Sequence, residues 1–108
     1  MPTVYKVLGQ ANGTTAVSNV YTVPAATQTV VSTVVITNRT SSNVNYRLAV
    51  QPAGAALANQ HYIAFDAIAA ASDSIALTLG LTLGNTDVIS ANASANSLSI
   101  SIFGSEIT

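Results

Sequence analysis

Hydrophobic and polar positions alternate one by one along much of this chain, and a period of two predicts β-strands. The pattern is organised around residues 28–50, QTVVSTVVITNRTSSNVNYRLAV. In its second half Val44, Tyr46, Leu48 and Val50 project to one side. Asn45, Arg47, Ala49 and Gln51 project to the other, as in a half-buried strand. The first half carries β-branched residues on both faces, as a central strand covered on both sides would. With the polar turn Asn38-Arg39-Thr40-Ser41-Ser42-Asn43 between them, the two runs read as the long central hairpin of an all-β domain.

The remaining segments follow the same rule. Residues 3–9 form a first strand, with Val4, Lys6 and Leu8 opposing Tyr5 and Val7, and 9–13, ending in Asn12-Gly13, read as a turn. Residues 16–23 form a second strand with Val17, Asn19, Tyr21 and Val23 on one face, closed by Pro24, which cannot donate to a ladder. Residues 51–60, punctuated by Pro52 and Gly54, are a crossover loop whose alanines would permit a helical turn. A strand over 61–66 places His61, Ile63 and Phe65 opposite Tyr62, Ala64 and Asp66, and 67–73 is a loop of small residues. From Ser74 to Leu83 the apolar residues Ile75, Leu77, Leu79, Leu81 and Leu83 all take odd positions, with Gly80 and Gly84 marking a bend or bulge. After a turn at 84–87, strands 88–93 and 98–103 close the domain as a hairpin across Ser94-Ala95-Asn96, and 104–108 is a tail. On the last strand Leu98, Ile100 and Ile102 face inwards and Ser97, Ser99 and Ser101 outwards, so a slip of one residue would expose the apolar set. The expectation is a single domain over 1–108, an antiparallel β-sandwich of about eight strands, Ig-like or jelly-roll in type.

Composition changes this picture mainly at the surface. Only 6% of residues are charged, where soluble proteins average roughly 25%. Ser, Thr, Asn and Ala take their place, and such a surface has little net charge to keep copies apart. A homo-oligomer is the expected state. Lys6, Arg39 and Arg47 are the only cations, too few for the phosphate contacts that nucleic-acid binding requires. There is no cysteine, hence no disulfide framework, thiolate metal site or cysteine nucleophile. The opening MPTVYK lacks the apolar region of a signal peptide, and no apolar stretch is long enough to span a bilayer. Synthesis in the cytoplasm and no membrane partner are expected.

The residues that could carry chemistry are few and dispersed. His61 is the one histidine, and catalysis would need a nucleophile and an orienting acid beside it. Asp66 is the nearest acid in sequence, but strand alternation sends the two side chains to opposite faces. Asp66, Asp73, Asp87 and Glu106 are scattered, and a calcium site needs several carboxylates converging. Asp73 and Asp87 each precede a strand, where aspartate commonly makes a local turn. Tyr5, Tyr21, Tyr46, Tyr62, Phe65 and Phe103 mostly fall where a core would take them. The sequons at Asn12, Asn38 and Asn92 are what chance produces in so Asn-, Ser- and Thr-rich a chain. No catalytic, cofactor or metal residue is assigned. The Asn-rich turns at 38–43 and 92–96 leave a glycan-binding alternative open.

A family resemblance supplies a more specific expectation. The segments YTVPA (21–25), VVSTVVITN (30–38), YRLAVQPAGA (46–55), NQHYIAFD (59–66), LTLG (77–80) and FGSEI (103–107) together resemble small virion structural proteins of tailed bacteriophages, notably those of cyanobacterial phages. The likeness spans nearly the whole chain and rests on strand-and-turn patterns. It implies a non-enzymatic, homo-oligomeric subunit on the particle exterior. Such a subunit would contact the major capsid protein as a decoration or cement protein, or neck and tail proteins as an attachment module. The alternative is a receptor-binding module for host surface glycans.

Overall fold

The computed structural model describes residues 2–78 and 80–108. The strands among them are β1 (Thr3–Gly13), β2 (Ser18–Thr22), β3 (Gln28–Asn38), β4 (Val44–Gln51), β5 (Tyr62–Ala69), β6 (Ser74–Leu77), β7 (Leu81–Leu83), β8 (Val88–Ala93) and β9 (Leu98–Ile107). Sheet A has the order β1-β9-β3-β6, with β7 also on β3, and sheet B the order β2-β8-β4-β5. All pairs are antiparallel.

Strand partners mirror one another along the chain. Thr3 pairs with Ile107, Ser18 with Ala91, Val34 with Leu77 and Val44 with Ala69. The chain is therefore one long antiparallel ribbon, doubled back between β4 and β5 and wound so that its arms fall alternately in the two sheets. That is the strand order of a jelly roll, and it decides between the two sandwich types that the pattern allowed. Between the sheets, Val31, Val34 and Ile36 of β3 and Leu98, Ile100 and Ile102 of β9 are fully buried with Leu48 of β4 and Ile89 of β8.

Both expected hairpins are instead arches between sheets. β3 and β4 do not pair, since β3 lies in sheet A and β4 in sheet B; the same holds for β8 and β9. Asn38 shapes the first arch. Its Nδ2 donates to the Ser42 carbonyl (2.8 Å) and the Ala69 carbonyl (2.9 Å), while its Oδ1 accepts from the Thr40 amide (3.0 Å) and hydroxyl (2.8 Å). All four hydrogen-bonding positions of the buried amide are used. Periodicity defines which residues face the core but is blind to which strand lies beside which.

The expected turn at 9–13 and the expected tail, as far as Ile107, are strand: 9–13 pairs with 98–102 and 104–107 with 3–6 along the β1–β9 ladder. Gly13 does not adopt the positive φ that an Asn-Gly hairpin turn needs. Gly9 serves close approach instead: a Cβ there would lie 2.5 Å from the Val20 carbonyl oxygen of β2. On β2, the register slips between Asn19 and Tyr21, so Val17 and Asn19 are exposed whereas Tyr21 and Val23 are buried; the four do not share one face.

The expected strand over 74–83 is two pieces, β6 and β7, flanking Gly80 at φ 61°; Leu79 lies outside the described residues. Residues 52–54 and 59–61 are short 3-10 turns, so His61 precedes β5, and β5 continues through Ala69 into the expected loop.

Candidate functional site

The outer face of sheet B carries a cluster that strict alternation would have separated. Between the pairs Tyr46–Ala67 and Leu48–Ala64, Arg47 alone on β4 faces both Phe65 and Asp66 on β5. That is a β-bulge, and Asp66 takes the left-handed conformation at φ 53° to make it. The expected opposition of Phe65 and Asp66 is lost as a result. Arg47 Nε donates to Asp66 Oδ1 (2.6 Å) and Nη2 to Oδ2 (3.1 Å), a bidentate pair. The same guanidinium lies 3.9 Å from the centre of the Phe65 ring, and Tyr62 packs edge-on against that ring at 5.0 Å. The Arg47 hydrogen bond holds the Asp66 carboxyl below its ordinary value, and Asp66 in turn raises the Arg47 guanidinium. Asn45, Arg47, Asp66, Asn92, Ala93 and Ser94 line an open hollow of about 200 Å³ beside the pair.

The outer face of sheet A is different in kind. Tyr5, Val7, Val30 and Phe103, with Lys6 among them, line an open groove of about 510 Å³. On this face Tyr5 is 84% exposed and Val7 48%, while Val4, on the other side of β1, is 52% exposed. The expectation that the aromatics fill the core holds for Tyr21 and Tyr46, but fails for Tyr5 and for Phe65, which is 56% exposed. Alternation had placed Tyr5 and Val7 together opposite Leu8; which of the two sides was left open depends on where sheet B lies.

A third cluster joins the two sheets, its Tyr21 and Thr29 buried, its Glu106 side chain 12% exposed and its Lys6 side chain 44% exposed. Tyr21 of β2 donates its hydroxyl to Glu106 Oε2 (2.6 Å) and shares a 2.8 Å hydrogen bond with the buried Thr29 hydroxyl. Lys6 Nζ lies 2.9 Å from Glu106 Oε1. Burial, with the neighbouring carboxylate, pushes the Tyr21 hydroxyl up to about 12; the hydrogen bonds from Tyr21 and Lys6 push the Glu106 carboxyl down. This clasp ties β1 and β9 of sheet A to β2 of sheet B. Sequence distance hid it, since Lys6 and Glu106 come from opposite ends of the chain.

The other polar residues do local work. His61 Nδ1 accepts from the Ala58 amide (3.1 Å). Asp73 Oδ1 accepts from the Ser74 amide (2.8 Å) and Asp87 Oδ2 from the Gly84 amide (2.8 Å), the local turn roles expected of them, while Asp87 Oδ1 also accepts from the distant Ala53 amide (2.8 Å). Among the described residues no three His, Cys, Asp or Glu side chains come together, and no helix is long and apolar enough to cross a membrane. Of the Asn-rich turns, Asn38 is buried in its arch, Asn43 accepts from the Ala71 amide and Asn96 from the Thr15 amide, while Asn92 lines the Arg47 hollow.

Comparison with known protein families, with curated proteins and with solved structures returned no match.

Proposed function

We propose that this chain is a non-enzymatic structural subunit of a tailed-phage virion, a small homo-oligomer on the particle exterior that serves as capsid decoration or as a neck or tail attachment module. The observation that carries the reading is the apolar surface at the β1 end of sheet A, where Tyr5 and Val7 face solvent and the one cation, Lys6, is paired with Glu106. Such a surface on a chain with 6% charged residues favours association. The open groove and shallow hollow suit contact with a broad partner surface better than enclosure of a small substrate. Jelly rolls occur in viral capsid domains and in lectins, which is a fold-level analogy only. The sequence resemblance supplies the word virion. Imaging of labelled protein on intact particles tests it. Regular decoration of capsid, neck or tail is expected, and a soluble monomer at high concentration that is absent from particles overturns it.

One observation favours a second reading, a receptor-binding module for host glycans. The Arg47 hollow sets an exposed aromatic ring beside an ion pair and the amides of Asn45 and Asn92, a combination able to stack on a sugar face and hydrogen-bond its hydroxyls. A glycan array on which Arg47→Ala abolishes the signal supports this reading; an array without hits removes it.

A further inference from the structure

An edge strand offers unpaired backbone N–H and C=O groups, and proteins usually defend such edges with shortness, bulges, charges or proline. The edges here are defended unequally. β5 carries the bulge and the Asp66 charge, β2 has five residues broken by a register slip between Asn19 and Tyr21, and β6 and β7 have four and three and are separated at Gly80. β1 has eleven residues, pairs only with β9 among the described residues, and has its register slip between Val7 and Gly9. Its first half, Thr3 to Val7, is therefore a regular run without bulge or proline. Thr3, Val4, Tyr5, Lys6 and Val7 are all exposed there, and the one charge, on Lys6, is paired with Glu106 of its own chain.

We propose that a second copy of this chain adds to that edge, β1 against β1, antiparallel across a two-fold axis at Tyr5. The pairing rests on the assembling-subunit reading and names its contact surface. The low charge admits a second copy as the occupant, and Lys6 together with the Tyr5 ring selects the register. A two-fold interface sets each patch against itself, which a patch whose single cation is paired within its own chain tolerates. An axis at Lys6 would place two ammonium groups directly opposite, a destabilising arrangement. An axis at Tyr5 sets each Lys6 opposite Val4 of the second copy, pairs Thr3 with Val7, and stacks the two tyrosines as a cross-strand aromatic pair. The two A sheets become one continuous sheet. The apolar groove of Val7, Val30 and Phe103 continues across the axis onto its counterpart.

The absence of native cysteine makes the test clean. Residues facing each other across an antiparallel ladder have Cα atoms about 4.5–5.5 Å apart, within the range of a disulfide. Two copies of residue 7 would be about four residues apart along the strand, on the order of 13 Å, beyond that range. The wild-type chain is expected to sediment as a dimer or a multiple of one. Tyr5→Cys should oxidise to a covalent dimer, Val7→Cys should not, and Tyr5→Glu should sediment at half the wild-type mass. Circular dichroism confirms that each exposed-site variant is folded. A folded wild-type chain that stays monomeric at all concentrations overturns the pairing, as does equal cross-linking of the two cysteine variants. An oligomer that persists in Tyr5→Glu overturns this pairing and leaves the assembling-subunit reading standing. Absence from particles removes the virion reading and leaves the pairing untouched.

Discussion

Two clusters in this molecule are built from the same parts and do different things. Each joins a cation, a carboxylate and an aromatic side chain: Lys6, Glu106 and Tyr21 across the two sheets, Arg47, Asp66 and Phe65 on the outer face of sheet B. The Glu106 side chain is 12% exposed and that of Asp66 48%. Water competes for the second set and screens it, so its hydrogen bonds contribute little to folding and remain available to a ligand. In the first set Tyr21 and Glu106 are shielded although Lys6 is not, and loss of the carboxylate leaves the buried Tyr21 hydroxyl with Thr29 alone. Burial, more than residue type, separates a structural clasp from a candidate contact site.

Substitutions can break this comparison, and the largest effect is expected next to the clasp. A Cβ on Gly104 would lie 2.0 Å from the Val30 carbonyl oxygen and 3.0 Å from Val31 Cα, so backbone would have to move. Gly104→Ala should destabilise by about 3 kcal/mol or abolish folding, read from the denaturant midpoint. Glu106→Ala, which removes one of the two partners of the buried Tyr21 hydroxyl and the ion-pair partner of Lys6, should cost about 1–3 kcal/mol in the same assay. An unchanged midpoint in Glu106→Ala would erase the distinction between the clusters.

A smaller effect is expected from pH. The folded Glu106 carboxyl lies below its ordinary value of 4.5. The folded state thus holds its proton less tightly than the unfolded state, and the stabilisation is complete above that value. It should fade as pH falls from about 4.5 through the depressed folded value. Tyr21 behaves oppositely at the alkaline end. Its hydroxyl is raised from 10.0 to about 12, so its contribution is intact below 10 and should be lost as pH climbs towards 12. Thermal melts against pH check both limits, and Glu106→Gln should flatten the acid one.

The smallest expected change in stability is that of Arg47→Ala. Its melting midpoint should stay close to that of the native chain, at low salt and high. What should move is the Asp66 carboxyl, rising back towards its ordinary 3.8 once the guanidinium is gone, as read by carbon NMR titration. A large fall in midpoint would make the Arg47 cluster structural and weaken the glycan alternative.

Much of the architecture could be read from side-chain order. Alternation in β4 and β9 located the inward residues Val44, Tyr46, Leu48, Leu98, Ile100 and Ile102, all buried. It also set Arg47 outward, where the hollow forms. The errors have a common cause. A short polar link such as 38–43 serves a hairpin or an arch equally well, and the choice lay with Asn38, whose four hydrogen bonds reach as far as Ala69. The bulge at Phe65 and Asp66 was equally hidden, because a left-handed aspartate has no sequence mark as strong as glycine.

The chain on its own determined that this is an all-β protein, which residues line its interior, and how little charge its surface carries, because these depend on the chemistry and spacing of near neighbours. Tertiary structure alone decided strand partners, the joining of Lys6 with Glu106, and the exposure of Tyr5 and Phe65. Those depend on contacts between segments far apart in the chain, about which a local period of two carries no information.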